Sequence, residues 1–359
     1  MRAPSFPRLL AVLSLLAATA AGRPARSAAG RGAARKPDAP AVMPGPREHT
    51  PARRWRIVAL GDLNGETGST RYVPLVHRAV DRLTGGLRPD LVISTGDLVA
   101  GQRHRLRYGA MWRAFHRLVT DPLARAGVPF APAPGNHDAS AYEPYARERE
   151  IFGQAFAARR PPLRMVDDAA FPYRYAYRLG PALFVALDAT IVAPLDAAQR
   201  RWLERRLQES DAPVKIVYDH VPLRPFTAGR RHEVMHDPAL EAVLDRERVD
   251  LFVSGHHHGY FPGRVGRVRY VSVPCLGTGA RPLLGERERS PRGVVVIELE
   301  GDRLVRVDAL SGEDLDTVVE RADLPDRVGT LWRDDLAADG QPAPDLRAGR
   351  APRAPGGGA

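Results

Sequence analysis

The chain contains a single cysteine, Cys275, in 359 residues. One thiol excludes an intramolecular disulfide framework and any zinc site built from several cysteines. Lysine is almost as scarce. Lys36 and Lys215 are the only two, and every other Lys/Arg position is arginine. That skew reads as coding bias before it reads as phosphate recognition. No internal repeat is present. The apolar stretch near the start, Leu9 to Ala18, is too short to span a bilayer comfortably.

What the chain has in excess is positive charge: 53 Lys+Arg against 42 Asp+Glu, a net +11. Such a balance invites a nucleic-acid reading, but that reading depends on where the charge lies. Residues 1–54 hold ten basic and two acidic groups. Residues 333–359 hold four Arg and four Asp, and 55–332 carry only +3. The domain-forming part is therefore nearly balanced, and no specific nucleic-acid partner is expected. Arg2 and Arg8, the run Leu9–Ala18 and the small residues Ala18-Thr19-Ala20 are arranged as in a secretory signal peptide covering 1–20. The expected location is periplasmic or secreted, with no transmembrane anchor left after cleavage. No cysteine follows the apolar run to carry a lipid. Residues 21–54 are rich in Ala, Pro, Gly and Arg without apolar periodicity, which predicts a flexible linker. Its charge would allow loose contact with anionic envelope polymers. Residues 333–359 read as a disordered tail of the same kind. That leaves 55–332 as one domain, and a hydrophobic share of 44% can supply its core.

Within that domain a pattern recurs. Arg56-Ile57-Val58-Ala59-Leu60 ends in Gly61-Asp62-Leu63-Asn64-Gly65. Leu91–Thr95 ends in Gly96-Asp97, and Pro129–Ala133 leads into Gly135-Asn136-His137-Asp138. Val214–Tyr218 ends in Asp219-His220, and Leu251–Ser254 in Gly255-His256-His257-His258. Each apolar run predicts a buried strand, the proline-containing third being the weakest. Helices are expected over Arg71–Leu83, Tyr108–Ala126, Asp196–Glu209 and Pro238–Arg248. Alternation of this kind is an α/β domain, in which ligands bind outside the carboxyl ends of strands. Asp, Asn and His at those ends are oxygen and imidazole donors suited to divalent metals. Taken singly, each cluster has an ordinary alternative: Gly-Asp is a turn, His-His-His a solvated tract, His220 a core histidine. Five of them at five strand ends point to a metal site.

These five clusters resemble the motifs of the calcineurin-like metallophosphoesterases, of a secreted bacterial type. That family reads D-x-H, G-D, G-N-H-[D/E], an isolated H, and G-H-x-H. The resemblance covers about Trp55 to Leu310. It implies a four-layer αββα sandwich with a dinuclear metal site at the carboxyl ends of the strands. By position, Asp62, Asp97 and His258 would hold one metal. Asp97, Asn136, His220 and His256 would hold the other, with Asp97 bridging. The metals would be two divalent or trivalent ions drawn from Mn, Fe or Zn. On an extended segment His256 and His258 would point the same way and His257 away. Such a pair of ions can lower the pKa of a bridging water and clamp the phosphoryl oxygens. The resemblance thus implies hydrolysis of a small-molecule phosphoric ester, mono- or diester, by a metal-bridging hydroxide. It makes His137 the acid that protonates the leaving group; the alternative is a histidine that only orients Asn136.

The chain departs from the family pattern in places. Asn64 stands where the family has His, so a weaker donor, or none, faces the first metal. Purple acid phosphatases place a Tyr three residues after the bridging Asp, and here that residue is Ala100. The protein phosphatases read G-D-x-V-D-R-G, and Gly96-Asp97-Leu98-Val99-Ala100-Gly101-Gln102 lacks both the acid and the Arg. Arg103, His104 and Arg105 could replace that Arg in binding phosphate, or form a solvated basic loop. Ser69 or Thr70 is expected to cap the next helix, Asp188 to serve in a loop or behind the site, and Cys275, Tyr260 and Phe261 to pack in the core. A rival to the enzyme is a non-catalytic module on the same fold that binds metal without turnover.

Overall fold

The computed structural model describes residues 53–336. The expected signal peptide, most of the linker and most of the tail lie outside the described residues. Strands follow in chain order as β1 (Arg54–Leu60), β2 (Leu91–Ser94), β3 (Phe130–Pro132), β4 (Arg164–Ala170) and β5 (Arg174–Leu179). Next come β6 (Ala182–Ala186), β7 (Val214–Tyr218), β8 (Leu251–Ser254), β9 (Phe261–Val265) and β10 (Val268–Ser272). The last are β11 (Val294–Glu300), β12 (Arg303–Ser311), β13 (Thr317–Val318), β14 (Arg327–Val328) and β15 (Leu331–Arg333). Helices are α1 (Pro74–Arg82), α2 (Tyr108–Phe115), α3 (Asp121–Arg125), α4 (Asn136–Ala139), α5 (Ala146–Phe156), α6 (Ala197–Gln208) and α7 (Pro238–Arg246).

The strands form two sheets, in the orders β13-β12-β11-β1-β2-β3 and β14-β15-β9-β10-β8-β7-β6-β5-β4. In both, the strands that carry the polar clusters are parallel neighbours: β1, β2 and β3 in one, β7 and β8 in the other. The layering follows from the two-residue period of a strand. Ile57 and Ala59 face inward and share one core with Tyr175, Phe184 and Ile216 of the second sheet. Val58 and Leu60 face the other way, into a second core with Leu75 and Val76 of α1, Trp112 of α2 and Phe152 of α5. Trp202 and Leu203 of α6 and Leu240 and Leu244 of α7 cover the second sheet. The result is the αββα sandwich that the resemblance implied. No helix of the described residues is long and apolar enough to cross a membrane.

Some expectations change. The helix expected over Tyr108–Ala126 is broken by a π-turn at His116–Thr120, just before Pro122. Proline has no N–H to continue the α ladder, so the preceding turn widens. Ser69 does not cap α1; its hydroxyl accepts from the Arg71 N–H in a local turn, and the N-cap is Val73 without a side-chain bond. Residue 332 is not the end of the fold either. Arg333 closes β15, and Asp334 is buried against Arg321. That charge pair lies under the edge of the second sheet, where a reading by composition had only a polar tail.

Candidate metal centre

The clusters converge because each strand ends in an abrupt turn. Asp62, Asp97, His256 and His258 all have left-handed backbone, with φ between 50° and 65°. For non-glycine residues this costs about 1 kcal/mol each, a concentration of strain typical of functional sites. The segment 256–258 is therefore not extended, as the alternation argument assumed. The two loops of the first sheet pack closely. A Cβ on Gly135 would lie 2.1 Å from the Asp97 nitrogen, so only glycine fits there. Asp138 binds the loops together: Oδ1 accepts from the N–H of Leu98 and Val99, and Oδ2 from that of Gly135. Burial and the nearby Asp97 charge raise its pKa, against the pull of those N–H groups.

Asp62, Asp97 and His220 each place a donor atom within 4.8 Å of the others, and all three are buried. The backbone fixes the ring orientation of His220. His220 Nδ1 donates to the Thr95 carbonyl at 2.7 Å, so its Nε2 carries a lone pair. That lone pair faces Asn136 Oδ1 at 2.8 Å and Asp97 Oδ1 at 3.4 Å. Asn136 is oriented by its amide nitrogen, which donates to Gln102 Oε1. His256 Nδ1 joins the group, 3.0 Å from Asn136 Oδ1 and 3.2 Å from His220 Nε2. Acceptors facing acceptors in a dry pocket repel unless a cation lies between them. The donor set fits a divalent ion.

The second half of the site has the same logic. His258 Nδ1 donates to the Thr278 carbonyl, and Nε2 lies 3.2 Å from Asp62 Oδ1. Burial disfavours a charged His258, but the Asp62 carboxylate outweighs it and raises the pKa to about 10. Burial pushes Asp62 up in turn, and His258 brings it below its ordinary value. Without metal the two form an ion pair. Asp62 also accepts from the His256 N–H. Cys275 is buried against His258 rather than in plain apolar packing.

The other candidates fall in different places. Asn64 is buried, and its amide nitrogen lies 3.4 Å from Asp97 Oδ2. His137 is partly open; its backbone N–H donates to Asp97 Oδ1 and its Nδ1 to the Gly101 carbonyl. Arg103, His104 and Arg105 are exposed, and His104 stacks on Tyr145. Gln102, beside them, is the residue that reaches the centre. His257 is fully buried and faces no solvent: Nε2 donates to the Glu233 carbonyl and Nδ1 accepts from Phe226 and Thr227. It ties the 226–233 loop to the site. Asp188 pairs with Arg149, which also bonds the Ala139 carbonyl, so it braces the Asn136 turn from behind. Arg230 and Glu233 touch His256, and no motif in the sequence announced them.

The sequence profile of the calcineurin-like phosphoesterases matches residues 56–260. The chain belongs to that family. Among curated relatives, this calcineurin-like phosphoesterase is 24% identical over 206 residues to a probable cyclic nucleotide phosphodiesterase of Psychrobacter sp. strain PRwf-1. The match covers 56% of each chain, so the protein spans about half the length of that relative. Among solved structures it resembles the purple acid phosphatase PPD1 of yellow lupin seeds (TM-score 0.58, 18% identity, 75% of this chain and 53% of that one). It also resembles PhoD (TM-score 0.52, 13% identity, 75% and 67%). A third likeness is GAP50, described as the anchor in the inner membrane complex of Plasmodium (TM-score 0.50, 17% identity, 74% and 87%). At these identities the structural likenesses establish the fold of the calcineurin-like phosphoesterases and no more.

Proposed function

We propose that this calcineurin-like phosphoesterase is an exported hydrolase of small-molecule phosphoric esters that works with two bound metal ions. The observation that carries the reading is the set of acceptor atoms facing one another around His220 Nε2, which calls for positive charge. Asp62, Asp97 and His258 would hold one ion, with Asn64 beside it. Asp97, Asn136, His220 and His256 would hold the other. The ions would supply a water of lowered pKa and a positive clamp on the phosphoryl oxygens. The chain's own residues do the rest. Thr95, Thr278 and Gln102 fix the orientation of the donors through His220, His258 and Asn136. His137, with Nδ1 committed to Gly101, has Nε2 free to carry a proton to the leaving oxygen.

The test is elemental analysis of the purified protein, followed by assay with added Mn on p-nitrophenyl phosphate and bis(p-nitrophenyl) phosphate. Turnover should require metal, and Asp97→Asn should lower it by about a hundredfold or more while weakening metal binding. Bound metal without turnover on either ester would make the protein a binding module instead.

A further inference from the structure

Arg230 lies on the loop between β7 and α7. Its Nη1 is 2.9 Å from His256 Nε2, 3.2 Å from His256 Nδ1 and 2.7 Å from Glu233 Oε2. Glu233 Oε2 is in turn 3.1 Å from His256 Nε2. The Ala228 N–H donates to the Pro282 carbonyl, and Thr227 bridges to Leu283, which lays this loop beside the segment bearing Arg281. The Arg281 N–H bonds the His258 carbonyl. The Arg230 guanidinium therefore lies against His256, and that of Arg281 is close enough to Arg230, Glu233 and Cys275 to feel their charges. The Nε of each is buried without a hydrogen-bond partner among the described residues.

The contact of Arg230 with the imidazole cannot persist once the site is loaded. His256 Nδ1 faces Asn136 Oδ1 and His220 Nε2, so it is the nitrogen that would face a bound ion. With that lone pair engaged, the ring proton is on Nε2, and Glu233 accepts it. A guanidinium has donors only. Arg230 then finds no acceptor on the ring, keeps Glu233, and has its remaining N–H groups for an anion. Phosphorus chemistry says which one. Two ions can take two terminal oxygens of a phosphoryl group. A monoester has a third terminal oxygen that carries charge; in a diester that oxygen bears carbon.

We propose that Arg230, backed by Arg281, binds this third oxygen and fits the site to phosphate monoesters. The assignment rests on the hydrolytic reading above and narrows its substrate class. It supplies from the 226–233 loop the arginine that the Gly96–Gln102 segment lacks. A planar fork suits a phosphoryl oxygen better than a point charge does.

The experiment compares wild type, Arg230→Gln and Arg230→Lys, each loaded with Mn and checked for metal content. Calorimetry measures the binding of orthophosphate and of dimethyl phosphate, and kinetics follows the two nitrophenyl esters. Wild type should bind orthophosphate more tightly than dimethyl phosphate. Arg230→Gln should lose at least about tenfold more affinity for orthophosphate than for dimethyl phosphate, and more kcat/KM on the monoester than on the diester, with Arg230→Lys in between. Equal losses on both classes would overturn the assignment. So would loss of metal together with phosphate, which would make Arg230 a mere support for His256. If wild type hydrolyses neither ester, the hydrolytic reading fails, and the calorimetric arm still decides the arginine.

Discussion

His137 is oriented by its surroundings. Nδ1 is bound to the Gly101 carbonyl, and Nε2 faces Asp97 Oδ2 at 3.9 Å from a side chain that is 31% exposed. On the proposed hydrolytic reading, a group placed there would give its proton to the leaving oxygen. The consequence is a dependence on the leaving group. His137→Gln should cost about a hundredfold in kcat on an alkyl phosphate, whose alkoxide must be protonated. It should cost far less on p-nitrophenyl phosphate, whose leaving anion is stable. A steady-state comparison of the two substrates checks this, and an equal loss on both would return His137 to the role of orienting Asn136. At this scale the candidate donors were legible in the sequence, since each stands in a short motif after a strand. Arg230 and Glu233 were not. They occupy the long connection between β7 and α7, and only the fold brings them to His256.

Among the elements, the α2–α3 region carries the clearest pH signal. His116 opens the π-turn, and its Nδ1 is 2.9 Å from Thr120 Oγ1. It packs among Trp112, Phe115 and Phe156, with Arg159 and Asp121 as its charged neighbours. Burial, helped by Arg159, lowers its pKa to about 4 from the ordinary 6.5. The unfolded chain therefore binds a proton that the folded one refuses between those values. Stability from this group is full above pH 6.5 and falls as pH drops toward 4. Denaturant unfolding of wild type and His116→Phe across that window should show a shallower pH slope in the variant. Parallel slopes would assign the acid sensitivity elsewhere. The break in this helix could be anticipated from Pro122; that it would take the form of a π-turn could not.

For the whole molecule, charge and fold are separated. Eight of the formal positive charges belong to residues 1–54, and the αββα sandwich lies in a segment that is nearly balanced. Contact with anionic polymers is then expected of the leading segment rather than of the candidate metal centre. Binding of the full chain to a polyanion such as heparin should weaken steeply with salt, and deletion of 21–54 should abolish it while leaving ester hydrolysis in place. Retention of binding by the truncated chain would put the contact on the folded domain.

The sequence by itself determined an α/β domain, the five strand-end clusters and the candidate donor types, because strand periodicity and short Gly-Asp, Asn-His and His-x-His motifs are local; the αββα arrangement was what the family resemblance implied. It also determined where the excess charge lies. Only the tertiary structure decided which nitrogen of each histidine is free, through carbonyls at Thr95, Thr278 and Gly101 that are remote in sequence or hidden in a turn. It also turned His257 inward, set Asp138 as the bolt between two loops, and brought Arg230 to the edge of the site. Those are long-range contacts, and their geometry depends on how two sheets and their loops pack rather than on any neighbouring pair of residues.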